Sequence, residues 1–161
     1  MSMTLTAADI MTKKVVTAHP EDTVAKVARL LSDHLISAVP VCDAEGSVLG
    51  MLSEGDLIRP FLTQNDTKRA WWLNLLAEGT DLAPSFLEFL RVENHPAREL
   101  MVTPAITAAP DTPLSALADL LIRHHIKRLP VVRNGRLVGI VSRADLVHAI
   151  ARTPDTIVEA I

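Results

Sequence analysis

Aromatic and sulfur side chains are scarce in this chain: among 161 residues there is no tyrosine, three are phenylalanine, two tryptophan and one cysteine. A lone cysteine, Cys42, excludes an internal disulfide, and its place after Val41 in a β-like run reads as a small buried hydrophobe rather than a reactive thiol. With few rings to stack on bases and a formal net charge of −3, the chain has neither part of a nucleic-acid surface. No apolar run reaches the roughly 18 residues of a membrane span, and no cationic leader precedes an apolar stretch near Asp9. These absences predict a cytoplasmic protein with no membrane insertion and no nucleic-acid partner. Yet 48% of the residues are hydrophobic, so the core must be built from Val, Ile, Leu, Ala and Met.

The usual catalytic signatures are missing as well. There is no Gly-x-x-x-x-Gly-Lys loop and no Gly-x-Gly-x-x-Gly turn, which removes the two standard loop routes to phosphate. Neither a nucleophile elbow nor a supported Cys-His pairing is present. Six histidines, His19, His34, His95, His124, His125 and His148, form no recognised metal-ligand spacing. His34 and His124 fall near helix ends, where the helix dipole is sufficient explanation. We therefore expect no catalytic residue, no metal and no enzyme.

What is present is said twice. A block of about fifty residues recurs with the numbering shifted by ninety, placing Met11 on Met101, Thr17 on Thr107, Pro20 on Pro110, Leu31 on Leu121, His34 on His124 and Pro40 on Pro130. One residue is then lost, and Gly50 falls on Gly139, Ser53 on Ser142 and Asp56 on Asp145. Two copies are too few for a solenoid, so they are expected to face each other about a pseudo-twofold axis with equivalent clefts between them. The expected boundaries are 1–60 for the first repeat, 61–96 for an insert, 97–152 for the second repeat and 153–161 for a tail. Charge divides unequally. Residues 1–58 carry four Lys and Arg against eight Asp and Glu, a balance of −4, whereas residues 97–150 carry seven against four, or +3. An anion would prefer the second half.

Each copy reads as β-α-β-β-α, an α/β (α+β) class. A short extended piece, Val15 to Ala18 or Ala105 to Ala108, stops at Pro20 or Pro110. A helix follows, capped by Asp22 or Thr23 and by Asp111 or Thr112, with Val24, Val27, Ala28 and Leu31 on one face and Leu114, Leu117, Ala118 and Leu121 on its counterpart. Two β-rich runs come next, Val39 to Cys42 with Val48 to Leu52, and Leu129 to Val132 with Leu137 to Val141. Asn134-Gly135 suits a type I′ turn, and Asp43-Ala44-Glu45-Gly46 makes a looser one. A last helix opens after Ser53 or Ser142.

Several of these residues can bind or merely build. Ser53 with Asp56, and Ser142 with Asp145, have the spacing of a helix N-cap and its returning carboxylate, worth about 1 kcal/mol. The same carboxylate can instead accept two ribose hydroxyls while the serine and the helix N–H groups face a phosphate. Lys127 and Arg128 are either a solvated pair at a strand edge or a phosphate clamp. Val16, Ile36, Ile106 and Ile126 can wall an apolar slot or belong to the core, and Thr103 and Thr107 can add hydroxyls.

Taken in order and twice over, Met11-Thr-Lys-Lys-Val-Val-Thr17, Ile36-Ser-Ala-Val-Pro-Val41, Ile126-Lys-Arg-Leu-Pro-Val131, Gly50-Met-Leu-Ser-Glu-Gly-Asp-Leu57 and Gly139-Ile-Val-Ser-Arg-Ala-Asp-Leu146 resemble the CBS domains, named after cystathionine beta-synthase. The resemblance spans about two thirds of the chain. It implies a regulatory tandem pair whose clefts take AMP, ADP, ATP or another adenosyl compound and which commonly dimerises into a flat disc. It also implies a ribose contact from the Asp of the Ser-x-x-Asp element and basic residues reaching phosphate. On that reading the second site comprises Asp145, Ser142, Arg128, Lys127, Ile126, Ile106 and Thr103, and the first Asp56, Ser53, Ala38, Ser37, Ile36 and Val16. Because Ser37 and Ala38 replace the basic pair, the Asp56 site should be the weaker, or else depend on basic residues reaching across the cleft.

The stretch from Arg59 to Pro96 holds Trp71, Trp72, Leu75 and Leu76, then Phe86, Leu87, Phe89 and Leu90 after Pro84, at helical spacings. These rings either cover the module's own core or offer a dimer or partner surface. Some bacterial CBS pairs carry a similar insert. The function expected is ligand sensing relayed to a separate downstream protein, with a structural or dimerisation module as the alternative.

Overall fold

Each copy folds as one hairpin flanked by two longer helices, preceded by a single helical turn. The computed structural model describes residues 4–63 and 95–152, with burial described through Ile58 in the first block. The aromatic insert and the tail expected at 153–161 lie outside the described residues. The elements are α1 (Ala7–Ile10), α2 (Val24–His34), β1 (Ala38–Cys42), β2 (Val48–Ser53) and α3 (Glu54–Thr63), then α4 (Ala97–Leu100), α5 (Leu114–Arg123), β3 (Arg128–Arg133), β4 (Arg136–Ser142) and α6 (Arg143–Arg152). β1 pairs with β2, and β3 with β4, both antiparallel.

Local chemistry accounts for most boundaries. Thr23 caps α2 by accepting the Lys26 N–H at 3.2 Å. In the second copy neither Asp111 nor Thr112 caps the helix as expected: Pro113 holds the N-cap position, and the Thr112 hydroxyl instead accepts the Ala109 N–H at 3.0 Å. Both helices end with the chain in the left-handed region, at Leu35 and His125, where the following isoleucine N–H reaches back to Leu31 or Leu121 at 3.0 and 3.1 Å. Asn134 and Gly135 both have positive φ, as the tight turn between β3 and β4 requires. The looser turn is held by Asp43, whose carboxylate accepts the N–H groups of Glu45 and Ser47.

The extended piece that opens each repeat is shorter than expected. Only Ala18 and Ala108 pair in parallel with β1 and β3, at Val41 and Val131. Ala18 donates to the Pro40 carbonyl at 3.0 Å and accepts from Cys42 at 2.8 Å. Continuing the ladder toward Val16 would need an N–H from Pro40, which has none. Pro130 stops the second copy in the same way.

Two cores form, and they exchange parts. The first contains Val24, Val27, Leu31, Val39, Val41, Leu52 and Leu57, and the second Leu114, Leu117, Leu121, Leu129, Val131, Val141 and Leu146. Ala7 of α1, fully buried, belongs to the second core together with Leu5, Ile10 and Met11, whereas Ala97 of α4 belongs to the first with Leu100 and Met101. Backbone hydrogen bonds fix the exchange: Ala7 N–H to the Thr112 carbonyl at 2.8 Å, and Ala97 N–H to that of Asp22 at 2.7 Å. The segments that follow zip onto the opposite hairpins, Thr12 against Ile140 and Val102 against Met51. Both pairs of bridges are equivalent under the repeat shift, so the pseudo-twofold axis expected from the sequence is present. Each leader completes the other half.

Candidate functional site

The pairing of Met51 with Val102 carries the start of the second copy across the end of β2. There it faces the first turn of α3. Between them lies a cleft of about 620 Å³, within the range of small-molecule sites. Ser37, Ala38, Ser53 and Asp56 of the first copy line one side, and Ile106, Ile126, Lys127 and Arg128 of the second line the other. The backbone ties the strand starts to the helix starts, since Glu54 N–H donates to the Ser37 carbonyl at 2.9 Å and Arg143 N–H to that of Lys127 at 3.0 Å.

Ser53 and Asp56 form a closed capping arrangement. Asp56 Oδ2 accepts the Ser53 N–H and hydroxyl, each at 2.9 Å, while Ser53 Oγ accepts the Asp56 N–H at 3.3 Å. Asp56 is only 5% exposed. Ser142 and Asp145 repeat the pattern at 2.8 and 3.1 Å. Capping is thus met in both copies through one carboxylate oxygen. Arg128 is half-buried, with Nε 3.5 Å from Ser37 Oγ, and Lys127 is exposed. The cleft wall therefore joins an acidic helix start, Glu54 and Asp56, to a basic strand start bracketed by His124 and His125.

The sequence reading grouped Lys127 and Arg128 with Asp145; the structure places them in the cleft with Asp56. The reason is the exchange of leaders, which sets the β3 start of one copy over the α3 start of the other. Of the expected second-site residues, Ile126 and Ile106 come with them. Ser142 and Asp145 do not line this cleft, and Thr103 is exposed beside its lining residue Pro104. Of the expected first-site residues, Ser53, Ser37 and Ala38 line it, whereas Val16 and Ile36 pack against the first core. Met51, Glu54, Gly55, Ile58, Val102, Pro104, Ala105 and the two histidines line it unanticipated. His34 Nδ1 lies 3.0 Å from the Leu30 carbonyl, in keeping with a helix-end role, but its equivalent His124 faces the cleft. Cys42 is buried, and burial followed by the nearby Asp43 charge pushes its thiol pKa up, leaving it a neutral core side chain.

Two copies of the hairpin-and-helix unit, exchanged leaders and paired Ser-x-x-Asp helix starts are the features of one family, and the CBS domain model matches residues 7–62 and 97–152. The chain belongs to the CBS domain family. An uncharacterised protein of Methanocaldococcus jannaschii is 34% identical over 155 residues, covering 88% of this chain and 89% of the relative. Among solved structures, the CBS domain pair of protein MJ0100, in complex with 5′-methylthioadenosine and S-adenosyl-L-methionine, matches with a TM-score of 0.69 at 22% identity, covering 92% of this chain and 97% of that one. CBSX2 in complex with AMP matches with a TM-score of 0.69 at 23% identity, covering 91% and 96%. At such identities the two structures establish the CBS pair fold. Among the described residues of this CBS pair no helix is long and apolar enough to cross a membrane, and no three His, Cys, Asp or Glu side chains gather as a metal site needs.

Proposed function

We propose that this CBS pair is a regulatory module, not a catalyst, which binds an adenine nucleotide or related adenosyl ligand in the Asp56 cleft and relays occupancy to a separate protein. The observation that carries the reading is the junction of Ser53 and Asp56 with Lys127 and Arg128 across one apolar-walled cleft. Asp56 takes the ribose, Ile106 and Ile126 flank the base, and Arg128 with Lys127 holds a phosphate. A ligand touching both copies stabilises one arrangement of the halves over others, which is what a relay requires. Complexes of other CBS pairs with AMP, and with methylthioadenosine and S-adenosylmethionine, support the ligand class. We further propose that the protein is a cytoplasmic homodimer joined through its helical faces, where Ile122 is 70% and Val147 65% exposed.

Thermal shift with AMP, ADP, ATP, S-adenosylmethionine and methylthioadenosine at millimolar concentration tests the site. At least one ligand is expected to raise the melting temperature, and Asp56→Asn to abolish that rise while Asp145→Asn, which loses the same kind of cap, preserves it. Arg128→Ala is expected to weaken AMP about tenfold or more, the worth of one charged hydrogen bond, and to leave methylthioadenosine, which has no phosphate, unchanged. A silent panel would favour the alternative, a dimerisation module without a physiological ligand. Loss of the rise in Asp145→Asn alone would move the ribose to the other cleft.

A further inference from the structure

Two apolar grooves run between the paired helices on the side away from the hairpins' partners, and the repeat shift makes them equivalent. One, of about 260 Å³, lies between α2 and α3 and is lined by Ala28, Leu31, Leu57 and Ile58. The other, of about 400 Å³, lies between α5 and α6 and is lined by Ala118, Leu121, Leu146 and Val147. In shape and apolar character they are copies. In charge they are not. The first helical residue beside the groove is Glu54 in one and Arg143 in the other, each exposed and each lining its groove. Neither has an ion-pair partner among the described residues. The inversion at the rim follows the inversion of the halves, −4 for residues 1–58 and +3 for residues 97–150.

A second copy can cover these grooves in two ways. Like can meet like, which sets the acidic half against itself and the basic half against itself. Alternatively unlike can meet, which pairs opposite charges at both contacts while burying the same apolar rims. We propose that two copies associate head to tail, the α2–α3 groove of each seated on the α5–α6 groove of the other, with Glu54 of one copy facing Arg143 of its partner. A twofold axis relates the two contacts, so the assembly closes as a dimer and does not propagate. This inference rests on the dimer reading above and adds the orientation to it.

Sedimentation of the full chain and cross-linking of cysteine variants with a short bismaleimide separate the two. A dimer is expected by sedimentation; a monomer at every concentration would overturn the dimer reading and the orientation with it. Within the dimer, Ile58→Cys and Val147→Cys are each expected to give no cross-linked dimer alone, and the double variant to give one. Self-cross-linking of either single variant, or a dimeric double variant that does not cross-link, overturns the head-to-tail orientation and leaves the dimer standing. Charge exchange gives an independent readout. Glu54→Arg and Arg143→Glu are each expected to raise the dimer dissociation constant about tenfold at low salt, and the two together to restore it. Losses that simply multiply count against the proposal.

Discussion

At Gly50 and Gly139 the exchanged segments approach so closely that a side chain has no free space, but the neighbour differs. A methyl group at Gly50 would sit 2.7 Å from the Val102 carbonyl oxygen and 3.0 Å from Thr103 Cγ2, so backbone must move. At Gly139 the obstruction is the side chain of Met11, whose sulfur end can rotate away. We expect Gly50→Ala to cost about 1–3 kcal/mol, in the range of overpacked cores, and Gly139→Ala distinctly less. Thermal denaturation checks this, with roughly 2–4 °C per kcal/mol at this chain length; equal losses would mean that Met11 is as rigid as a peptide group. The glycines were visible in the sequence as repeat equivalents. Their reason was not, because the atoms they make room for lie about fifty residues onward for Gly50 and well over a hundred back for Gly139.

The turns that launch α2 and α5 solve one problem with different chemistry. Before α2, the Asp22 carboxylate accepts the His19 N–H at 2.9 Å and meets Lys26 Nζ at 3.1 Å. Before α5, the neutral Thr112 hydroxyl does the equivalent work. Burial alone would raise the Asp22 pKa, but the His19 hydrogen bond and Lys26 outweigh it, and the group titrates below the ordinary carboxylate range. A carboxylate whose folded pKa is depressed adds stability above its unfolded pKa of about 3.9 and loses it as pH falls through the folded value. Acid titration should therefore destabilise the first half through this turn, and Asp22→Thr, copying the second half, should flatten the pH dependence of the melting temperature below about pH 4. An unchanged slope would place the acid sensitivity elsewhere. At this scale the sequence was readable where signals are local: Asn134-Gly135, Thr23 and the apolar stripes all appear as read. It misled where two distant segments decide, as at Ala18, whose ladder ends because Pro40 lacks a donor.

For the whole molecule, the exchange of leaders governs both the cleft and the stability. It explains why the site residues were recognisable by type while their grouping was not: Lys127 and Asp56 share no local pattern, and only the Met51–Val102 pairing brings their elements together. It also makes damage appear far from its cause. Removing the chain through Thr12 strips Leu5, Ala7, Ile10 and Met11 from the second core. Hydrogen exchange is then expected to quicken first in α5, β3, β4 and α6, and less in α2, β1 and β2, although the deleted residues precede the first half. Uniform quickening would show that the two cores unfold as one. A polypeptide with a single repeat would carry a leader it cannot use and a core it cannot fill. Such a chain could be completed only by trading leaders with an identical molecule, so on physical grounds the duplicated form is a swapped dimer whose two subunits have been joined end to end.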